Sequence, residues 1–332
     1  MPPSLVVLCP GQGAQAVGMG AAWRQASTEA TEVFARADRL LGSRLGLPLS
    51  ELCTSGPAER LNQTDASQPA IYTASVACWR ALLARRGLAD HDGPATATAG
   101  LSLGEYTALH VAGSLSFEDG LELVTLRGRA MQDAATSPEA MSGGGGSMLA
   151  LIGATDAQAQ EVCDRARGPY VLVCANFNAP GQVVLSGHKA ACDAAAKVAE
   201  AMGLKSAPLA VAGAFHSPLM APAAERLGAA LAGTNIRPPR CPVISNVTAQ
   251  PHTMSTASSV GGKIRELLVQ QLTHPVRWAQ SCNLLTQQHP ALAVGAPGGS
   301  ETEYLELAPG KTLAGLMRRI DKTIKVTTND TP

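Results

Sequence analysis

The chain has 332 residues, enough for one large domain or for one domain that contains a smaller insertion. Hydrophobic residues make up 45% of it and aromatic residues only 3%, so a sizeable core is possible and must consist mainly of Ala, Val and Leu. Lys plus Arg and Asp plus Glu both number 26, and this neutral balance disfavours nucleic acid or an anionic membrane as the main partner.

The eight cysteines are scattered and form no CxxC pair, so we expect no metal cage. A chain of this size needs no disulfides, and reduced thiols in the cytoplasm are therefore expected. No apolar run reaches the roughly 20 residues that a membrane helix needs. An apolar strand pattern begins at Leu5, which leads us to expect no cleavable signal peptide.

The first part of the chain alternates predicted strands and helices. Strands are predicted over 5–9 and 95–99, and helices over 28–41, 69–86 and 103–112. Ser116 and Asp119 are typical of a capping box and begin a further helix that runs to about 134. This order predicts an α/β domain.

The pattern changes after a glycine-rich break at 142–146. Predicted there are strand 147–152, helix 156–167, strands 170–176 and 182–186, helix 188–202 and strand 205–211. The order β-α-β-β-α-β is the ferredoxin-like arrangement and indicates a small inserted domain. Further on, α/β patterning returns with strands 242–245 and 304–307, helices 261–272 and 312–320, and a surface loop at 288–303.

Gly100-Leu101-Ser102-Leu103-Gly104 lies between a predicted strand and a predicted helix. In a nucleophile elbow, glycines permit a tight turn that lifts the serine hydroxyl above the sheet. The N-terminus of the next helix adds backbone N–H groups and a partial positive charge. An ordinary Gly-Ser turn has the same letters, but the flanking strand and helix favour the elbow.

Serine needs a base to take its proton, and seven histidines are candidates. His216 lies where the chain leaves the predicted insertion, next to a plausible cleft between domains. The alternative is a surface or structural histidine. His110 is predicted on the helix near the elbow, whereas His91, His252 and His289 are predicted in surface loops.

Two further segments have a plain and a functional interpretation. Residues 10–15 follow the first strand and lack a phosphate-loop Lys and the GxGxxG spacing, so they form either a simple turn or a loop that directs N–H groups at an oxyanion. Arg127 lies in an apolar helical stretch. It either extends its charged end to water or stays buried and pairs with a carboxylate through two parallel hydrogen bonds.

Taken in order, nine segments resemble the malonyl-coenzyme A:acyl-carrier-protein transacylase family. They are PGQGAQ at 10–15, SQPAIYTAS at 67–75, GLSLGEYTAL at 100–109, LRGRAMQ at 126–132, NFNAPGQVVLSG at 176–187, AFHSPLM at 214–220, ISNVT at 244–248, QQLTHPVRW at 270–278 and APGKTLAGLMRRI at 308–320. Each alone is weakly specific, but the ordered set across nearly the whole chain is highly specific.

The resemblance implies an α/β-hydrolase-like catalytic domain over 1–141 and 213–332, with a ferredoxin-like subdomain inserted over 142–212. It implies transfer of a malonyl group from malonyl-coenzyme A to the phosphopantetheine thiol of an acyl carrier protein, through a malonyl-serine. Fatty acid synthesis, polyketide synthesis and malonate metabolism all remain open as the pathway. We expect a cytoplasmic monomer without cofactor or metal.

The resemblance also implies the roles of individual residues. Ser102 is the nucleophile, His216 its base, and the backbone carbonyl of Gln271 orients the histidine. The backbone N–H groups of Gln12 and Leu103 form the oxyanion hole. By the same resemblance, Arg127 holds the malonyl carboxylate.

The chain departs from the family pattern at a few places. Many members have His where this chain has Leu101, which leaves the contribution of that position open. The segment 290–303 and the glycine run at 143–146 are longer than usual.

Two other function classes compete with acyl transfer to a carrier. An esterase or thioesterase shares GxSxG but usually has an Asp or Glu before a late His, and the segments at 10–15 and 270–278 argue against it. A non-catalytic carrier-binding module is disfavoured by the presence of Ser102, His216 and Arg127 together.

Overall fold

The computed structural model describes residues 4–89, 93–252, 259–292 and 302–332, with the backbone alone at 288–292. The strands are β1 (Ser4–Cys9), β2 (Ala95–Gly100), β3 (Gly146–Ile152), β4 (Leu172–Ala179), β5 (Gln182–His188), β6 (Lys205–Pro208), β7 (Val243–Ile244), β8 (Thr302–Glu306) and β9 (Val326–Thr328).

The helices are α1 (Ala21–Ala26), α2 (Thr28–Leu41), α3 (Leu49–Ser55), α4 (Ala58–Leu61), α5 (Thr64–Arg85), α6 (Gly104–Val111), α7 (Phe117–Ala135), α8 (Pro138–Met141), α9 (Asp156–Ala166), α10 (Lys189–Ala201), α11 (Ala221–Gly233), α12 (Val260–Gln271), α13 (Trp278–Leu292) and α14 (Thr312–Ile320). No helix in the described ranges is both long and apolar enough to cross a membrane.

The larger sheet has the strand order β7-β2-β1-β8-β9, and each neighbouring pair is parallel. Its central strand β1 is buried along its whole length, as expected for a parallel strand covered by helices on both faces. The α/β class predicted from the sequence is therefore confirmed.

The register of β1 against β2 aligns the two loops that matter most for the site. Cys9 pairs with Gly100, so the segment after Cys9 and the segment after Gly100 leave the same edge of the sheet side by side. A Cβ on Gly11 would lie 2.2 Å from the Leu101 carbonyl oxygen, so only glycine permits this approach. Gln12 is thereby placed beside the turn that contains Ser102.

The smaller sheet has the order β4-β5-β3-β6 with antiparallel neighbours. Helices α9 and α10 pack against it around a separate apolar cluster that includes Leu151, Val162 and Leu185. Its strand β4 also bonds to the larger unit: Phe177 N–H donates to the Val276 carbonyl over 2.9 Å, and Val276 N–H to the Ala175 carbonyl over 2.8 Å. These bonds fix the small sheet against the segment that follows α12.

Several predicted boundaries were wrong. The helix predicted from 69 begins at Thr64, because Pro69 lies inside α5 without ending it. The strand predicted over 205–211 ends at Pro208. Proline has no backbone N–H to donate to a neighbouring strand, so regular strand pairing ends at this residue.

The loop predicted at 288–303 was also wrong at both ends, while residues 293–301 lie outside the described residues. Helix α13 continues to Leu292, and β8 begins at Thr302. The apolar face of α13 fixes its first part: Trp278, Cys282 and Leu285 follow helical spacing and are buried in one cluster.

Gly128 on α7 provides a test of how closely α7 approaches α5. A Cβ there would lie 2.5 Å from the Thr64 carbonyl oxygen and 3.0 Å from Asp65 Cα, both backbone atoms at the start of α5. Gly128→Ala should therefore force the helices apart and lower the free energy of unfolding by about 1–3 kcal/mol, as overpacking typically does.

The matched control is Gly315→Ala on α14, where a Cβ would meet nothing within 4 Å. It should leave the urea midpoint unchanged or raise it, since alanine has the better helix propensity. Equal midpoints for the two variants would contradict the close packing of α5 and α7.

Candidate active site

The turn between β2 and α6 presents Ser102 in a strained backbone conformation. Its φ is +53°, a left-handed value that is uncommon for a residue with a side chain. Two close approaches enforce the turn: a Cβ on Gly104 would lie 2.1 Å from the Cys9 carbonyl oxygen, and one on Gly100 would lie 1.9 Å from the Gly104 carbonyl carbon. The Ser102 N–H donates to Asn246 Oδ1 over 2.6 Å. Ser102 is thus held in the geometry that the elbow pattern predicts.

His216 lies against this serine, as the sequence predicted. The Ser102 Oγ to His216 Nε2 distance is 2.8 Å, and His216 Nδ1 lies 2.7 Å from the backbone carbonyl oxygen of Gln271. Because a carbonyl can only accept, Nδ1 bears the proton, and Nε2 accepts from the serine hydroxyl. His216 itself has a φ of +57°, so both members of the pair are held by strained backbone.

The environment of His216 favours its neutral form. Burial and, to a smaller extent, the positive charge of Arg127 lower the pKa of His216 to about 4. The hydrogen bond that His216 donates to the Gln271 carbonyl acts in the opposite direction and raises this pKa. At neutral pH the imidazole is therefore unprotonated and able to take the proton of Ser102.

Arg127 is fully buried, so the interpretation in which it extends to solvent is wrong. One guanidinium nitrogen donates to Gln68 Oε1 over 2.8 Å, and the other donates to Ser102 Oγ over 3.1 Å and to Gln271 Oε1 over 3.0 Å. The guanidinium carbon also lies 5.6 Å from the centre of the Tyr106 ring. Burial lowers the pKa of Arg127.

Within the described residues, Arg127 has no carboxylate partner, and its Nε has no hydrogen-bond acceptor. A buried guanidinium with only neutral acceptors is an unusual arrangement, because burying an unpaired charge is unfavourable. The site can therefore stabilise an anion placed next to Ser102.

Gln12 and Leu103 flank the elbow. Leu103 is the residue that precedes the first turn of α6, and the Gln12 side chain donates to Thr64 Oγ1 over 3.4 Å. Over the part of the chain that the structure describes, the backbone N–H groups of these two residues donate to no protein acceptor. Leu101 lies in the same turn, directly before Ser102, and its partly buried side chain packs on an apolar cluster.

Sequence reasoning missed four polar residues around this site: Gln68, Glu105, Asn246 and His252. The first three stand inside the family segments, but nothing in their pattern indicated what they touch. The surface position predicted for His252 was wrong: the residue is buried, and its Nε2 lies 2.7 Å from Glu105 Oε1. Its N–H donates to the Val243 carbonyl, which brings it under the edge of the larger sheet.

The remaining histidine predictions divide as follows. His110 lies on α6 as predicted, with Nδ1 3.1 Å from the Leu115 carbonyl oxygen rather than at Ser102. His91 and the side chain of His289 lie outside the described residues.

Comparison with known proteins shows that the chain is an acyltransferase. A family model described as acyl transferase domain matches residues 6–297, most of the chain. The chain is 40% identical over 324 residues to the malonyl CoA-acyl carrier protein transacylase of Escherichia coli (strain K12), covering 97% of this chain and 94% of that protein.

Solved structures agree with the sequence relatives. The malonyl-CoA:acyl carrier protein transacylase of Xanthomonas oryzae pv. oryzae has a TM-score of 0.86 and 40% identity, covering 100% of this chain and 96% of that one. A malonyl-transacylase solved in complex with a type II polyketide-synthase acyl carrier protein has a TM-score of 0.85 and 36% identity, over 99% and 96% of the two chains. The chain belongs to the malonyl CoA-acyl carrier protein transacylase family, which confirms the resemblance found in the sequence.

The low pKa of His216 can be tested without any thioester substrate. The rate at which a fluorophosphonate modifies Ser102 should stay nearly constant from pH 8 to below pH 6 and fall with a midpoint at about pH 4. The modification rate falls at low pH because protonated His216 cannot accept the serine proton. The protonated fraction of His216 grows as the pH falls through its pKa.

Arg127→Met removes a positive charge that lowers the pKa of His216 and should move the midpoint upward. Circular dichroism at each pH is the control for unfolding. A wild-type midpoint near 6.5, the ordinary value for histidine, would contradict the buried, charge-coupled geometry.

Proposed function

We propose that this protein transfers a malonyl group from malonyl-coenzyme A to the phosphopantetheine thiol of an acyl carrier protein, with Ser102 as the covalent carrier. The single observation that supports this assignment most strongly is the position of Arg127. A buried guanidinium with neutral acceptors donates to the hydroxyl of Ser102 itself, over 3.1 Å. An acyl group that ends in a carboxylate complements that arrangement, whereas a neutral acyl group leaves the cation without an anion.

In the first half-reaction, Ser102 Oγ attacks the thioester carbonyl while His216 Nε2 takes its proton. The Gln271 carbonyl accepts from Nδ1–H throughout and stabilises the imidazolium that forms. The backbone N–H groups of Gln12 and Leu103 would donate to the oxyanion of the tetrahedral intermediate, and loss of one such donor typically slows a reaction by roughly 10²–10³-fold. Collapse of the intermediate breaks the carbon–sulfur bond, and the departing coenzyme A thiol takes the proton from His216.

The second half-reaction runs through the same groups. The carrier's thiol gives its proton to His216 and attacks the malonyl ester, and Ser102 leaves with that proton restored. The same imidazole is thus base and acid in turn, which suits a pKa held below neutral pH because the proton is readily returned. The order of steps is ping-pong, since the first product leaves before the carrier reacts.

Arg127 would bind the malonyl carboxylate through the two parallel donors of its planar fork. The amide oxygens of Gln68 and Gln271 keep the guanidinium in one orientation, with one nitrogen aimed at Ser102. Fixing the cation before the substrate arrives lowers the entropy lost on binding. Lysine could supply the charge at this place but not the fork.

We also propose the domain division inferred from the sequence: an α/β-hydrolase-like domain over 1–141 and 213–332 and a ferredoxin-like insertion over 142–212. The antiparallel order β4-β5-β3-β6 with two helices supports the insertion. So does the close approach of the chain where it enters and leaves the insertion, since a Cβ on Gly146 would lie 2.5 Å from the backbone nitrogen of Ala214, two residues after the insertion ends. His216 lies a few residues after the proposed end of the insertion at 212, so in this division the site would lie at the junction of the two domains.

The name of the family supports an acyl carrier protein as the acyl acceptor. The relative solved in complex with a type II polyketide-synthase carrier protein supports polyketide synthesis as a pathway beside fatty acid synthesis. An esterase role is less well supported, because His216 is oriented by a backbone carbonyl rather than by the acidic residue usual in that class.

The test of this proposal is the malonyl-to-acetyl ratio of kcat/KM. Arg127→Ala should lower transfer from malonyl-coenzyme A by on the order of 10²-fold or more, because losing one partner of a desolvated ion pair typically costs about 2–5 kcal/mol. Transfer from acetyl-coenzyme A should fall far less. Arg127→Lys should restore malonyl transfer only in part.

Arg129→Ala is the matched control, because Arg129 lies on the same helix with its side chain exposed and paired with Asp133. It should leave the ratio unchanged. If Arg127→Ala also leaves the ratio unchanged, the carboxylate binds elsewhere and the assignment fails.

A further inference from the structure

Glu105 is a fully buried carboxylate directly beneath the active site. Its Oε2 accepts from Gln271 Nε2 over 2.6 Å and from the Asn246 backbone N–H over 3.2 Å, and its Oε1 accepts from His252 Nε2 over 2.7 Å. Every donor to this carboxylate is thus supplied by a buried group. The reaction described above gives Glu105 no part.

One amide separates this carboxylate from Arg127. Gln271 donates through Nε2 to Glu105 and accepts through Oε1 from Arg127 over 3.0 Å. The same Nε2 also lies 3.1 Å from the Ser102 carbonyl oxygen. The negative charge of Glu105 opposes the lowering of the Arg127 pKa that burial causes. A buried anion and a buried cation therefore lie close together without touching.

We propose that Glu105 is the fixed counter-charge of Arg127 and a positioning residue for substrate selection. Gln271 holds it one amide away, so that it neutralises the buried cation while the guanidinium N–H groups without an acceptor, that of Nε among them, stay available to a substrate carboxylate. A directly paired carboxylate would stabilise Arg127 more but would occupy those donors. The proposal rests on the assignment of Arg127 as the carboxylate-binding residue.

The arrangement has a consequence for binding. The substrate carboxylate is attracted by Arg127 and repelled by Glu105, so Glu105 limits how tightly a malonyl group is held in the ground state. A site that binds its acyl group too tightly slows the onward transfer. The carboxylate thus sets the balance between selecting malonyl and releasing it.

Glu105→Gln is a clean test because His252 can adapt to it. His252 Nδ1 has no hydrogen-bond partner among the described residues, so its proton can move from Nε2 to Nδ1. Nε2 then accepts from the new amide, whose oxygen still accepts from Gln271 and Asn246. The substitution removes the charge and keeps the three hydrogen bonds to residue 105. The His252 Nδ1–H then has no acceptor among the described residues, so some loss of stability is expected.

The expected result for Glu105→Gln is a lower Michaelis constant for malonyl-coenzyme A and an unchanged one for acetyl-coenzyme A. The ratio of the two constants should shift by about tenfold in favour of malonyl, the size of the repulsion between unit charges roughly 10 Å apart at an effective dielectric constant of about 20. Glu105→Asp, which keeps the charge, should retain the wild-type ratio.

Glu306→Gln is the matched control. Glu306 is equally buried and accepts from the N–H groups of Leu313 and Ala314 at the start of α14, away from Arg127. It should lower stability without shifting the ratio. A ratio for Glu105→Gln that equals that of this control, or that shifts against malonyl, would overturn the proposal.

A stability measurement tests the counter-charge without any substrate and applies even if Glu105→Gln is too unstable to assay. The thermal midpoint is measured for Glu105→Gln, Arg127→Met and the double variant. Each single change leaves one buried charge uncompensated, so the double variant should lose clearly less than the sum of the two single losses.

Additive losses would show that the two charges do not sense each other and would overturn the proposal. This outcome is distinct from a failure of the proposed function, which Arg127→Ala tests through the substrate ratio. The stability cycle would still report the Glu105–Arg127 coupling if Arg127 bound no substrate.

Discussion

The burial of Arg127 is the constraint around which this site is organised. A guanidinium removed from water needs hydrogen-bond acceptors, and those that Arg127 has are Gln68 on α5, Ser102 at the elbow and Gln271 at the end of α12. Those acceptors belong to three separate parts of the chain, so the cation also fixes their relative positions. The backbone carbonyl of Gln271 also accepts from His216, so the proposed carboxylate-binding group and the proposed proton-transfer pair are connected through this one residue.

The backbone around the elbow is as constrained as the side chains. Ser102 and His216 both have positive φ, and the neighbouring glycines permit approaches that no other residue allows. Such strain persists only where the surroundings over-determine it, and the hydrogen bonds of Asn246 to Ser102 N–H and to the Gly100 carbonyl supply part of that support. Rigid placement of the serine and its base reduces the reorganisation needed when the thioester arrives.

Local patterns were enough to predict the α/β class and most strands, because each of these depends on residues that are close in the sequence. The roles proposed for Ser102, His216 and Arg127 came instead from the ordered resemblance of nine segments to the family, since the local pattern around each residue left a plain alternative open. The Glu105 network could not be predicted in the same way. Its contacts join residues 147 and 166 positions apart, and a histidine in a polar stretch gives no sign that it is buried. Helix α11 was not predicted for another reason. Leu227 and Leu231 are the only large apolar residues on its buried face and the others are alanines, so the helical periodicity of hydrophobic residues is weak.

The central claim is that one buried guanidinium receives the malonyl carboxylate while the acyl carbonyl faces the elbow. A crystal structure of the enzyme trapped with malonate esterified to Ser102 tests it most directly. The account predicts both carboxylate oxygens on the Arg127 fork and the ester carbonyl oxygen within hydrogen-bond distance of the Gln12 and Leu103 N–H groups. A malonyl carboxylate that points to solvent or to another cation, with Arg127 still bonded to Gln68 and Gln271 alone, would contradict it.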